Sequence, residues 1–236
     1  MNGHGLTPRM KPISSRRGFV MSVLDVGTSK TVCLVAQLEP VRDAEALRGR
    51  SHRMKIIGIG HQKSRGIKNG VVVDLDAAEH SIRLAVDAAE RMARVEIRSV
   101  IVSMTGGRLQ SEAYNAEVTL RGQAVSENDI RRVFEATSHT GATPGRSMLH
   151  SLPTGFSIDQ THHIRDPHGM MGQKLGVDMH VATSDDYAVR NLMLAVERCH
   201  LNVEAVVSSP YASGLSVLVD DEAEMGVAII DIGGGT

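Results

Sequence analysis

Two short stretches of the chain share one build. Ser22-Val23-Leu24-Asp25-Val26-Gly27-Thr28-Ser29 and Ala228-Ile229-Ile230-Asp231-Ile232-Gly233-Gly234-Gly235 each run an apolar strand into Asp, an aliphatic residue and Gly, followed by small residues in a tight turn. Glycine lacks a Cβ, so successive backbone N–H groups can approach an anion closely and form a nest for phosphate oxygens. Thr and Ser hydroxyls add donors. The strand-end carboxylates Asp25 and Asp231 suit the water shell of Mg²⁺, an ion that takes oxygen ligands and keeps several waters. One such turn is common in hairpins and says little. Two copies imply a duplicated domain whose turns face each other.

Other chemistry-bearing residues are weaker. Gly58-Ile59-Gly60-His61-Gln62-Lys63-Ser64 hints at a phosphate loop but lacks Gly immediately before Lys63. His162, His163, Asp166 and His168 have metal-ligand side chains. Neighbouring His162 and His163 point to opposite faces if extended, however, and a polar Arg165-Asp166-Pro167 loop accounts for the cluster without a metal. Cys33 and Cys199 each lie in an apolar run, which reads as buried thiols in a reducing compartment.

Bulk properties exclude several classes. The 236 residues can build a sizeable core, and 42% hydrophobic with 22% charged residues is ordinary for a folded soluble protein. Lys plus Arg number 26 against 27 Asp plus Glu, so no global bias marks a nucleic-acid binder. No run approaches the roughly 20 apolar residues of a membrane span, and no signal peptide is read, so the chain is expected in the cytoplasm. Residues 1–18, with Arg9, Lys11, Arg16 and Arg17 and no acid, read as a disordered basic tail.

The elements that would carry the turns follow from patterning. Val20–Leu24 and Val32–Leu38 flank the first turn as a β-hairpin, and Lys55–Gly60 supplies a third strand after a loop over residues 40–53. Ile82, Ala85, Val86, Ala89, Met92 and Ala93 recur at helical spacing over residues 76–93, with Asp74 or Asp76 as N-cap. Val100–Ser103 returns to strand, giving an α/β core with mixed strand directions. Ala116–Leu120 reads as a strand, and Ser126 with Asp129 makes a capping box. Two short strands, 148–152 and 156–158, are expected on either side of Pro153 and Gly155. The core is expected to resume at Val177–Thr183, with Ser184 capping a helix that carries Ala188, Leu192, Ala195, Val196 and Cys199. Val203–Val207 and Val227–Ile232 read as the last strands.

The paired turns resemble those of the actin, Hsp70 and sugar-kinase superfamily, which grips a nucleotide from both sides. Further stretches resemble the bacterial cell-division FtsA family. They are Ser64-Arg65-Gly66-Ile67 with Gly70-Val71-Val72-Val73-Asp74-Leu75, Ala88-Ala89-Glu90-Arg91-Met92-Ala93, Leu149-His150-Ser151-Leu152-Pro153 with Ile158-Asp159, Asp166-Pro167 with Gly169-Met170, Val196-Glu197-Arg198-Cys199, and Glu224-Met225-Gly226. The resemblance implies an actin-like (ribonuclease H-like) α/β fold with an inserted α+β subdomain called 1C and a truncated second half. On that pattern residues 19–105 and 177–224 form subdomain IA, residues 106–176 form 1C, and residues 225–236 supply the first strand and phosphate turn of subdomain IIA. It further implies an ATP-binding protein that polymerises, ties the FtsZ ring to the cytoplasmic face of the inner membrane and recruits later division proteins.

Carried over residue by residue, Asp25 orients Mg²⁺ while Gly27, Thr28, Ser29 and Lys30 cradle the phosphates of ATP. Asp231, Gly233, Gly234, Gly235 and Thr236 form the opposite turn, with Asp231 a second carboxylate toward Mg²⁺, through water in both cases. Self-association and later division partners are expected through 1C. The FtsZ contact and a membrane helix are expected from the missing second half, so the peptide is read as a fragment expected to bind ATP poorly alone. Ser209 stands where Hsp70 proteins have a catalytic Glu, so hydrolysis is expected to be weak or absent. A small-molecule kinase or phosphatase of the same superfamily is the alternative; its general base would be Asp159 or Asp178, each of which also reads as a turn or strand-end residue.

Overall fold

Strand β1 (Phe19–Val26) and strand β2 (Lys30–Pro40) pair antiparallel with Val26 opposite Thr31, so Gly27, Thr28 and Ser29 reverse the chain. Strand β3 (His52–Lys63) adds on the far side of β2. A two-residue pair, β4 (Ile67–Lys68) and β5 (Val71–Val72), turns at Gly70, whose φ of 70° suits glycine. Helix α1 (Leu75–Ala93) starts at Asp74, whose carboxylate accepts the Ala77 N–H at 3.0 Å, and ends at Arg94 in the left-handed region. Its apolar stripe, including Ile82, Ala85 and Ala89, is buried. Helix and strand approach unusually closely: a Cβ on Gly60 would lie 1.7 Å from the Ala85 carbonyl oxygen, and one on Gly58 would lie 2.5 Å from that of Ala89.

Strand β6 (Ser99–Met104) then runs parallel to β1. It is followed by β7 (Gln110–Thr119), α2 (Glu127–Thr137), β8 (Arg146–Ile158), β9 (Thr161–Ile164), β10 (Lys174–Asp185), α3 (Asp186–Glu197), β11 (Asn202–Ser208), α4 (Ser209–Val217) and α5 (Asp220–Met225). This computed structural model describes residues 7–8, 10, 14–41, 51–120, 122–137 and 143–236. Most of the expected basic tail and of the loop over residues 40–53 lies outside the described residues.

The chain forms two compact units. One comprises Thr7–Gly107 and Tyr187–Thr236, with a five-stranded sheet in the order β11-β6-β1-β2-β3. Its β11, β6 and β1 are mutually parallel, so their carboxyl ends lie along one edge. Leu24, Val35, Ile82, Val100, Val102, Met104 and Val196 are among its buried residues. The other unit is Arg108–Asp186, a four-stranded antiparallel sheet in the order β7-β10-β8-β9 with its own core of Val133, Leu175, Val177, Met179 and Val181. Phe134 of α2 meets Phe156 of β8 edge to face at 5.8 Å. The capping box opens α2 as expected: Ser126 N–H donates to Asp129 Oδ2 at 3.1 Å, and Asp129 N–H donates to Ser126 Oγ at 3.4 Å.

Four expectations differ from the structure. Val177–Thr183 is a strand, but it belongs to the centre of the four-stranded sheet, so the first unit resumes only at Tyr187. Alternation marks a half-buried strand and carries no information about which sheet it joins. The two short strands around Pro153 are one strand, because Pro153 sits at an irregularity in the register where its missing N–H does no harm. Ser184 lies inside β10, two residues before α3 begins. Val227–Ile232 forms no strand, since no strand among the described residues pairs with it.

Candidate functional site

In the first unit the glycine turns meet. Gly27 N–H donates to the Lys30 carbonyl at 3.0 Å, and Gly233 N–H donates to the Thr236 carbonyl at 2.7 Å, so both turns are closed by the same bond between equivalent residues. The two are packed on each other. A Cβ on Gly234 would lie 2.8 Å from Ser29 Cβ, and one on Gly235 would lie 2.8 Å from Thr28 Cγ2. The second turn thus needs glycine for close approach to the first turn as well as for any anion.

Three further segments hold the first turn. Ser64 N–H donates to the Ser29 carbonyl at 3.1 Å, and the Gly70 N–H donates to Thr28 Oγ1 at 2.8 Å. Gly70 in turn crosses Gly106 so tightly that a Cβ on either would lie within 2.6 Å of the other's backbone. The Thr28 hydroxyl oxygen is therefore partly a strut, while its proton stays available to a ligand. Thr31 Oγ1 donates to the buried Ser64 Oγ at 3.3 Å beneath the turn.

A cavity of about 420 Å³ lies beside the paired turns. Asp25, Gly27, Thr28, Ser29 and Lys30 line one side, with Asp231, Ile232, Gly233, Gly234 and Thr236 on the other. The structure thus brings together nine of the ten residues singled out in the sequence. The tenth, Gly235, packs on Thr28 without lining the cavity. Burial pushes the Asp25 carboxyl above its ordinary range, against a Ser103 hydrogen bond and the Lys30 charge that pull it down; the Asp231 charge pushes it up further. The Asp231 charge therefore reaches Asp25 across the cavity.

Sequence reading missed Ser103, Thr105 and Ser213, which also line the cavity. Ser103 shares a 2.6 Å hydrogen bond with Ser209, and Ser213 Oγ donates to Asp231 Oδ2 at 3.0 Å. The available signal was topological. Once β6 is placed parallel to β1, Ser103 falls opposite Asp25 at the carboxyl edge, where ligands of α/β sheets bind. Its polar groups are carboxylates, hydroxyls, backbone amides and the Lys30 ammonium, a set that fits a magnesium-bound polyphosphate.

The rival residues lie elsewhere. Asp159, in the left-handed region at φ 53°, accepts the Gln173 and Lys174 N–H groups, and Asp178 accepts from Asn115 Nδ2 at 2.8 Å. Both belong to the four-stranded unit, and neither lines the cavity. His162, His163, Asp166 and His168 form no metal-binding group among the described residues.

A family model described as "SHS2 domain inserted in FTSA" matches residues 106–183. Cell division protein FtsA of Rhizobium meliloti (strain 1021) is 56% identical over 229 residues, covering 97% of this chain and 52% of the relative. FtsA of Agrobacterium fabrum is 53% identical over 235 residues, covering 100% of this chain and 53% of the relative. The chain belongs to the FtsA family. It spans about half the length of these FtsA relatives. Among solved structures, the PilM–PilN type IV pilus biogenesis complex aligns with a TM-score of 0.50 at 14% identity, over 87% of this chain and 51% of that one, a likeness that bears on the fold alone. The actin-like α/β class with an inserted α+β domain holds. The matched SHS2 segment runs seven residues past Gly176, in keeping with the place of β10 in the inserted sheet. Among the described residues no helix is long and apolar enough to cross a membrane.

Proposed function

We propose that this half of an FtsA-type protein supplies a nucleotide cleft, in which the two glycine turns hold the phosphates of ATP. The observation that carries the reading is the meeting of both Asp-x-Gly turns on one cavity of about 420 Å³. Backbone N–H groups and the Thr28, Ser29 and Thr236 hydroxyls bind phosphate oxygens, and Lys30 offsets their charge. Asp25 and Asp231 hold Mg²⁺ through its water shell, and the ion when bound neutralises phosphate charge. Ser209 has no charge with which to activate water, and its hydroxyl is already engaged with Ser103 and Thr105. ATP therefore acts mainly as a conformational ligand, with slow hydrolysis at most.

In the cell-division setting, the intact protein polymerises on the cytoplasmic face of the inner membrane, ties the FtsZ ring to it and recruits later division proteins, the last through the inserted unit. The kinase or phosphatase alternative gains nothing from Asp159 or Asp178, whose hydrogen bonds are those of turn and sheet residues. Calorimetric titration of MgATP into the intact protein and its Gly234→Val variant tests the cleft. Binding by the first and none by the second is expected, because the added side chain would press into Ser29. Equal affinity in the two would remove the turns from the site.

A further inference from the structure

Helix α4 begins at the carboxyl end of β11, and its Ser209 and Ser213 are one turn apart on the same face. Both side chains line the cavity and both lead to a carboxylate. Ser213 Oγ donates to Asp231 Oδ2 at 3.0 Å. Ser209 Oγ lies 2.6 Å from Ser103 Oγ, which hydrogen-bonds to Asp25, and Thr105 Oγ1 donates to Ser209 at 3.4 Å. One helical face therefore reaches both strand-end acids, directly on one side and through one hydroxyl on the other.

We propose that Ser209 and Ser213 are positioning residues that orient the Asp231 and Asp25 carboxylates toward a hydrated divalent cation. This inference rests on the magnesium site of the proposed cleft and adds its supporting layer. An ionised carboxylate offers about four acceptor sites. Ser213 occupies one site on Oδ2 and leaves the others for metal-bound water, so it aims the group without competing for the ion. The two acids repel each other when no cation is bound, and a fixed donor on each keeps them from turning apart. Partners of this kind around a metal ligand are typically worth about 10-fold to 100-fold in metal affinity. Ser209 acts through Ser103, so its contribution is the smaller. The same contacts tie the start of α4 to whatever the acids hold.

The test uses Mn²⁺ as a paramagnetic probe, titrated into the intact protein with ATP present and followed by electron paramagnetic resonance. Ser213→Ala is expected to weaken Mn²⁺ binding about 10-fold, while ATP affinity measured in EDTA changes less than twofold. Ser213→Thr, which keeps the hydroxyl, is expected to restore it. Ala is a better helix former than Ser, so the loss cannot come from a weakened α4. Wild-type Mn²⁺ affinity in Ser213→Ala would overturn the positioning role alone. Failure of the unaltered protein to bind Mn²⁺ with ATP would overturn the cation site and this inference together.

Discussion

The two units solve different problems with similar lengths of strand. In the first, three parallel strands end along one edge, and two glycine turns and the start of α4 gather there around a cavity. In the second, every strand pairs antiparallel, α2 packs on one face of the sheet, and Lys174 pairs with Glu117 across neighbouring strands. Parallel pairing requires long crossovers, and it is those crossovers that leave a crevice at the carboxyl ends. Antiparallel neighbours joined by turns leave none and present a face instead. The proposed function draws on that difference, with the nucleotide cleft in the first unit and partner contacts on the second.

Disruption of either sheet at its tightest contact should separate the two units most sharply. Gly60→Ala places a Cβ against the Ala85 carbonyl, so α1 must lift off β3. A loss of about 3 kcal/mol or more is expected, read by hydrogen exchange as lost protection in β1–β3 and α1 with the inserted unit still protected.

The converse variant is Arg146→Met. The mostly buried Arg146 guanidinium donates to Thr183 Oγ1 at 2.8 Å, to the Arg108 carbonyl at 2.6 Å and to the Thr183 carbonyl at 3.0 Å, and pairs with Asp185 at 3.1 Å. It therefore pins the strand by which the chain leaves the inserted unit to the point at which it enters. Its loss should cost about 2–3 kcal/mol, with exchange protection falling in β8 and β10 and unchanged in α1.

Asp74→Ala removes only the α1 cap and should lower stability by about 1 kcal/mol, visible as a small drop in the denaturant midpoint. The smallest effect concerns Cys33, whose thiol burial and the nearby Glu90 charge push up to about 12. It should resist a thiol reagent at pH 8 until the protein is unfolded. Because the folded-state value is raised, the native state holds its proton more tightly, and stability should fall as pH climbs above the ordinary 9.0.

Much of the first unit was legible because its signals are local. The stripe from Ile82 to Ala89 has one period, the Asp74 cap lies beside it, and the Gly27 turn lies between two apolar runs. Membership of β10 was not legible, since residues 177–183 alternate in the same way whichever sheet receives them. Strand β8 looked broken because Pro153 forbids a ladder bond, and the irregular register that tolerates it depends on β10. In the site, aspartates and glycines stood out through repetition. Ser103 and Ser213 did not, as isolated hydroxyls acquire meaning only when parallel pairing and the start of α4 bring them to the acids.

The central claim is that the turns work as a pair, and a double-mutant cycle measures pairing directly. ATP affinity of the intact protein would be compared for Asp25→Asn, Asp231→Asn and the combination, with Mg²⁺ and in EDTA. The expectation is that each single change weakens MgATP binding about 10-fold, that the double is little worse than either, with a coupling of about 1 kcal/mol or more, and that all differences shrink in EDTA. Independent, additive effects, or none at all, would contradict a shared cleft.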